Sequence, residues 1–278
     1  MRVFVTGATG YIGSAVVNEL INAGHQVVGL ARSDSSVARL KKEGAVVQYG
    51  ALDDLESLRS GAASADGVIH LAFIHDFSNF SNSLKIDRRA IETMGDALKG
   101  TGKPFIITNH ANGEASENAL FALNGVRTAL VSLAPTVHGE GDKGFVSRII
   151  NIAREKGFSA YIGDGSNRWP AVHRLDAASL YRLALEAAPT GSRLYGRADE
   201  GVPFRDIADV IGQSLNLPVV SISREEADAH FGFLGALAAL DIPSVISGPS
   251  IQTRELLGWK PVHPALIADL EQGHYFKN

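Results

Sequence analysis

The chain of 278 residues is 45% apolar and 20% charged, and its 26 Lys and Arg against 30 Asp and Glu leave a net charge of -4. That is the profile of a folded globular chain, long enough for one large α/β domain with an appended region, and it excludes disorder as the main theme. With no basic block and no cysteine, the sequence argues against nucleic acid and anionic membrane as partners and against disulfides, thiolate metal sites and a Cys nucleophile, which fits a cytoplasmic protein.

Arg2 to Val5 reads as a strand feeding a glycine loop, so no cleavable leader is expected. Through the first half, short β-branched runs alternate with helical patterns, the mark of a parallel sheet joined by right-handed crossovers. Strands are expected at Val3 to Thr6, Gln26 to Leu30, Val46 to Tyr49, Gly67 to Ala72, Phe105 to Thr108 and Ala129 to Leu133. Between the first two, Ile12, Ala15, Val16 and Leu20 recur at helical spacing up to Ala23-Gly24, where glycine suits the left-handed position after a helix. From about Gly139 helices and short strands mix. Arg193 to Tyr195 reads as a strand, Pro203 to Ile211 as a helix with Pro near its first turn, and Ser223-Arg224-Glu225-Glu226 as a capping box. The Ala-rich Phe231 to Leu240 is too short for a membrane span and reads as core or as a homodimer face.

The chemistry begins at Thr6-Gly7-Ala8-Thr9-Gly10-Tyr11-Ile12-Gly13, directly between the first strand and the first helix. Glycines there permit a tight turn, let the backbone approach a pyrophosphate, and leave helix N–H groups facing the anion. Gly7, Thr9, Gly10, Tyr11, Ile12 and Gly13 are therefore expected to hold a dinucleotide. At the end of the second strand an acidic residue would chelate the ribose hydroxyls of NAD, and a basic one would accommodate the 2′-phosphate of NADP. Arg32 and Ser33 favour NADP, with Asp34 as the rival feature for NAD.

With its Gly-x2-Gly-x2-Gly spacing, this stretch resembles the extended short-chain dehydrogenase/reductase superfamily, the NAD-dependent epimerase/dehydratase-like group. Val68-Ile69-His70-Leu71-Ala72 is similar to that family's fourth strand, Pro135-Thr136-Val137-His138-Gly139 to the segment after its sixth, and Trp169 to Asp176 to its substrate-domain return. Thr253 to Trp259 is similar to its C-terminal helix signature. The resemblance implies a Rossmann-type doubly wound parallel sheet with a smaller C-terminal α/β substrate-binding region. The dinucleotide-binding domain would be residues 1–138, with 171–196 returning to it, and the substrate-binding region 139–170 and 197–278. It also implies cofactor contacts from Leu71, Ala72, Phe73, Thr108, Pro135, Thr136 and Val137. Ala51 stands where the family usually has an adenine-binding Asp, which leaves that role to Leu52 or Asp53.

Family enzymes transfer hydride with a Tyr acid and a Lys four residues on. None of the chain's tyrosines has that Lys; by alignment, Gly113 and Glu117 hold the two positions, and the usual Ser falls at Asn109 or His110. The loop after Thr108 is also short. A hydride arriving at a carbonyl makes an alkoxide that needs a nearby donor, and imidazole can serve. Histidines after the strands, with polar and aromatic neighbours, thus become candidates: His110, Asn109 and His138 for catalysis, and His75, Tyr161, Trp169 and His173 for substrate. No histidine spacing suits a metal and no Gly-x-Ser-x-Gly elbow suits a hydrolase. Two readings stay open: an NAD(P)-dependent oxidoreductase or epimerase/dehydratase-like enzyme on a small carbonyl or hydroxyl substrate, and a non-enzymatic NADP-binding sensor.

Overall fold

In the computed structural model, residues 1–110, 112–244 and 248–277 are described. The first part of the chain runs β1 (Arg2–Thr6), α1 (Tyr11–Asn22), β2 (Gln26–Ala31), α2 (Asp34–Lys42), β3 (Val46–Tyr49), α3 (Leu55–Ala63), β4 (Gly67–His70), α4 (Phe80–Leu98), β5 (Pro104–Thr108), α5 (Glu114–Phe121) and β6 (Arg127–Leu133). Then follow β7 (Thr136–His138), α6 (Phe145–Lys156), β8 (Ser159–Ile162), β9 (Arg168–His173), α7 (Arg174–Ala187), β10 (Ser192–Gly196), β11 (Asp199–Pro203), α8 (Phe204–Leu215), β12 (Val219–Ile222), α9 (Arg224–Phe231), α10 (Gly235–Ala238), α11 (Ser250–Leu257) and α12 (Leu266–Glu271). No described helix is long and apolar enough to cross a membrane.

Two compact units result. The first takes Met1–Ser132, Ala177–Tyr195 and Gln252–Trp259. Its seven-stranded sheet has the order β10-β6-β5-β4-β1-β2-β3, and the pairs from β6 through β3 are parallel. The reversal of direction beside β1 is the doubly wound arrangement, and it places the switch point between β1 and β4. Strands β4 and β5 are covered along nearly their whole length because crossover helices pack the faces, which is why they read as continuous apolar runs. Helix α4 illustrates the packing: Ala90, Ile91, Met94 and Leu98 are all fully buried with Phe4 and Phe105. Each large side chain covered this way contributes about 1.5–3 kcal/mol.

The second unit takes Leu133–Asp176, Gly196–Ile251 and Lys260–Asn278. Its three-stranded sheet, β11-β9-β7, and two-stranded sheet, β12-β8, surround a core that includes Trp169, Phe204, Phe231 and Leu266. This differs from the expected boundaries. The return to the first unit starts at Ala177, because β9 pairs with β7 and β11 and so belongs, to its end at His173, to the second unit. The stretch from Phe231 to Leu240 is part core and part surface: Phe231, Leu234, Gly235 and Ala238 are buried, while Phe233 is 70% and Leu240 42% exposed. The Ser223 capping box forms as expected, with the Glu226 side chain accepting from the cap residue's backbone N–H. Strand β4 ends two residues before the expected Ala72; past His70 the chain is held instead by Leu71 N donating to the Thr6 carbonyl and Ala72 N to Thr6 Oγ1.

Candidate functional site

In the first unit, the glycine turn leaves β1 with Gly7 at φ +67°. A Cβ on Gly7 would lie 2.7 Å from Ala72 N, and one on Gly13 only 2.0 Å from the Gly7 carbonyl oxygen. At these two positions the turn therefore packs backbone on backbone and has no room for a Cβ. Gly10 caps α1 with no side-chain hydrogen bond, and no acidic residue occupies the helix's first turn. With neither a side-chain cap nor an acidic residue there, the α1 amino end offers its positive dipole end to an external anion. These residues fit a dinucleotide pyrophosphate on the chemistry of the donors and on the missing Cβ atoms. Tyr11 and Ile12 open the helix, half-buried, and Thr9 Oγ1 lies 3.5 Å from Ser36 Oγ.

Beyond β2, Arg32 is exposed, and Ser33 caps α2 by accepting from Ser36 N. Sequence reasoning missed Arg39, whose guanidinium donates to the Thr9 carbonyl at 3.0 Å and pairs with Glu43. Arg39 and a group of serine hydroxyls thus lie at this end of the glycine turn. Asp34 sits in the first turn of α2, and Leu52 is half-buried beyond β3.

Beneath the turn runs a buried polar relay. Thr6 Oγ1 and His70 Nδ1 are 2.6 Å apart, His70 Nε2 lies 3.1 Å from Asp87 Oδ1, and Ser116 Oγ donates to Asp87 Oδ2 at 2.6 Å. All four side chains are at most 5% exposed. Burial pushes the Asp87 carboxyl up, but hydrogen bonds and charge from His70, the Ser116 hydroxyl and the charge of His110 outweigh it and hold the group below its ordinary value. Sequence reasoning missed Asp87 and Ser116. The available signal was an acidic residue at an inward position of α4, between the buried Ser83 and Ile91.

His110 follows β5 and stacks on Phe73, ring centroids 4.1 Å apart, while Phe73 also meets His75 and Phe80 edge-on or tilted at 5.3 and 5.7 Å. Burial drives the His110 pKa down to about 4, against the attraction of Asp87 and with repulsion from His70 and His75. At neutral pH the ring is therefore uncharged and offers an N–H hydrogen bond, not a readily released proton. Asn109 is exposed, and its amide donates to Ser132 Oγ at 3.1 Å. Thr108 Oγ1 lies 2.7 Å from the Tyr181 hydroxyl. Tyr181 is fully buried, which pushes its pKa above the ordinary value despite that bond. Leu71, Ala72 and Phe73 are half-buried beside the turn.

The remaining expected site residues lie in the second unit, and several are corrected by burial. His138 is completely covered, its Nδ1 2.8 Å from Asp269 Oδ2, so it cannot touch a reactant. Trp169 is also fully buried, packed between Phe145 and Phe204, and is core, not pocket wall. Tyr161 is packed against that core with the Arg205 guanidinium over its ring. Thr136 is buried within β7, its hydroxyl without a hydrogen-bond partner among the described residues, and Pro135 and Val137 are half-buried beside it.

His173 is buried, and burial with the charge of His138 lowers its pKa to about 4. With Asp176 and His263 it forms a group whose ligand-type atoms lie within 4.8 Å of one another. The two imidazoles stack nearly parallel, 13° between planes and 4.8 Å between centroids, so their in-plane lone pairs run side by side and do not converge. Asp176 also already accepts from Val262 N, His263 N and the His263 ring. The cluster is a hydrogen-bonded lock on the 260–263 segment and lacks the geometry of a metal centre.

Comparison with known proteins agrees with this geometry. A model of the NAD dependent epimerase/dehydratase family matches residues 3–95. An uncharacterised protein of Schizosaccharomyces pombe is 47% identical over 299 aligned positions, spanning 99% of this chain and 100% of the relative. That alignment is longer than this chain, so the relative carries residues with no counterpart here. The 2-alkyl-3-oxoalkanoate reductase of Stenotrophomonas maltophilia is 25% identical over 258 positions, covering 79% of this chain and 77% of the reductase. Among solved structures, the dTDP-glucose 4,6-dehydratase of Streptomyces venezuelae with NAD and TYD bound superposes with a TM-score of 0.76 at 15% identity, over 99% of this chain and 97% of that one. At that identity the likeness is one of fold.

Proposed function

From the premise that this chain belongs to the NAD dependent epimerase/dehydratase family, we propose that it is an oxidoreductase acting on a small carbonyl or hydroxyl compound, with NADP as its dinucleotide. The observation that carries the reading is the amino end of α1, without side-chain cap or acidic residue, behind a turn whose Gly7 and Gly13 leave no space for a Cβ. Backbone of Gly7, Gly10 and Gly13, with Thr9, Tyr11 and Ile12 around it, would hold the pyrophosphate. Arg32 and Ser33, joined by Arg39, would face the adenosine phosphate, and Leu52 the adenine. Leu71, Ala72, Phe73 and Thr108 would lie along the nicotinamide half.

When bound, the dinucleotide supplies or accepts hydride. The chain's part is to hold the carbonyl and stabilise the oxygen that becomes an alkoxide. His110 fits that part as an uncharged N–H donor, oriented by its stack on Phe73, with Asn109 beside it and His75 on the rim. Solvent then supplies the proton that a Tyr and Lys pair would otherwise deliver.

Calorimetric titration with NADPH and NADH separately, followed by loss of nicotinamide absorbance across a panel of aldehydes, ketones and sugar nucleotides, tests this reading. NADPH should bind more tightly, and His110→Ala should lower turnover about a hundredfold while leaving dinucleotide binding intact. Tighter NADH binding would overturn the NADP assignment. Binding without any turnover would overturn the enzyme and leave a dinucleotide sensor.

A further inference from the structure

On the second unit, a cavity of about 250 Å³ opens along α6 and the C-terminal segment. Its walls include three cations, Lys143, Arg148 and Arg154. Among the described residues none of the three has a carboxylate partner, whereas Arg168, Arg182, Arg193, Arg205 and Arg224 are all ion-paired. Unpaired cations on a convex surface are ordinary solvated groups, but these three line one concavity.

The polar groups around them fall into two sets. Those able to accept are already engaged. Asp142 is the single acidic residue in the wall; its carboxylate takes the Gly144 N–H at 2.6 Å and the Tyr275 hydroxyl at 3.1 Å, and burial raises its pKa, so its charge is the more easily neutralised. Ser147 donates its hydroxyl to the Asp142 carbonyl, and Asn151 Oδ1 accepts from Arg154. Those able to donate remain. Arg154 uses one N–H on Asn151 and one on the Tyr275 carbonyl, which fixes the guanidinium through neutral acceptors and leaves three of its five N–H groups. Arg148 rests over the Phe233 ring, 5.3 Å from guanidinium carbon to centroid, a contact that consumes none of its N–H groups on a carboxylate. With its oxygen taken, Asn151 presents Nδ2. The amino end of α6 adds its dipole, because Gly144 caps it without a side-chain bond and no acidic residue lies in the first turn.

We propose that this cavity is a binding site for a phosphate group, separate from the glycine turn and recognised by Lys143, Arg148, Arg154 and Asn151. Four donors arriving from separate positions match the several oxygens of a tetrahedral phosphate better than the two of a carboxylate. The volume is that of about eight waters, which suits a phosphate with a small organic substituent and excludes a second whole dinucleotide. A protein whose first unit is read as a dinucleotide site would then carry a second anion site, able to anchor a phosphorylated small molecule or to report its concentration.

The test is calorimetric titration of the full chain with inorganic phosphate and with pyrophosphate, in the presence of saturating NADPH and, in parallel, without dinucleotide. Phosphate should bind in both conditions. Arg148→Ala and Arg154→Ala should each weaken it about tenfold or more, Arg154→Lys should recover part of the loss, and Arg59→Ala, at an exposed site on the first unit, should change nothing. Arg148 and Arg154 are exposed, so the variants should melt with the parent. No phosphate binding in the unsubstituted chain, equal binding in both alanine variants, or tighter binding of malonate than of either phosphate probe would overturn the site.

Discussion

Removing the carboxylate of Asp87 is the most direct trial of the buried relay. Asp87 is 1% exposed and accepts from two side chains, His70 Nε2 at 3.1 Å and Ser116 Oγ at 2.6 Å. Because a carboxylate only accepts, His70 must carry its hydrogen on Nε2; in the neutral ring Nδ1 then receives the Thr6 hydroxyl, whose oxygen receives Ala72 N. In Asp87→Ala two donors lose their acceptor in a place water does not reach, at about 1–3 kcal/mol each, and a small void is left. The sum is about 3–5 kcal/mol, out of a total stability of about 5–15 kcal/mol, and the melting temperature should fall by roughly 10 °C. Asp87→Asn conserves shape but places an amide donor against one of two donors. The Ser116 hydroxyl can also accept, so it can take the amide N–H and leave Oδ1 to His70 Nε2; this variant should lose at most about half as much, with the nitrogen NMR signature of His70 retained. Thermal melting with dinucleotide titration reads both effects. Since Ala72 packs on Gly7, affinity should fall along with stability in the alanine variant. An Asp87→Ala protein that melts with the parent would refute the relay as a structural element.

Gly13→Ala would bring a Cβ 2.0 Å from the Gly7 carbonyl oxygen, whereas Gly10→Ala brings one only to 3.1 Å. The first should cost about 1–3 kcal/mol of stability and more than about tenfold in dinucleotide affinity, the second much less; equal effects on titration would contradict the steric account. Acid should destabilise the protein through His110 and His173, whose pKa values are lowered from 6.5 to about 4. Between those values the unfolded chain binds protons that the folded chain refuses, so stability is complete above pH 6.5 and falls as pH drops toward 4. For the buried His173 the loss by pH 4 is about 3 kcal/mol, and His173→Asn, whose Oδ1 stands where Nδ1 accepts from Leu175 N, should flatten the pH dependence of the melting temperature; a variant as acid-sensitive as the parent would count against it.

Much of the fold was legible in residue order. The alternation of β-branched runs with helical periodicity located the strands of the parallel sheet, since a sheet covered on both faces must be apolar along its length. The glycine turn was equally legible, because the demand for positive φ at Gly7 and for no Cβ at Gly13 can be met by only one residue type. The candidate catalytic and substrate residues were less legible. His110 and His138 look alike in the sequence, each following a strand, yet one stacks half-buried on Phe73 and the other is completely enclosed against Asp269.

Local rules reach as far as the turn, the cap and the periodic face, because those depend on neighbours a few positions away. That much belongs to the amino-acid sequence alone: a parallel α/β sheet and an anion-ready helix end after its first strand. Burial, by contrast, is a property of everything packed around a residue. Asp87 meets Ser116 from another helix, Arg39 reaches Thr9 across thirty positions, and Trp169 sinks into a core assembled from distant segments. Which histidine could meet a reactant, which carboxylate is held ionised out of water, and which cations share a cavity were decided only when the chain closed on itself, because desolvation and charge act through space and take no account of sequence separation.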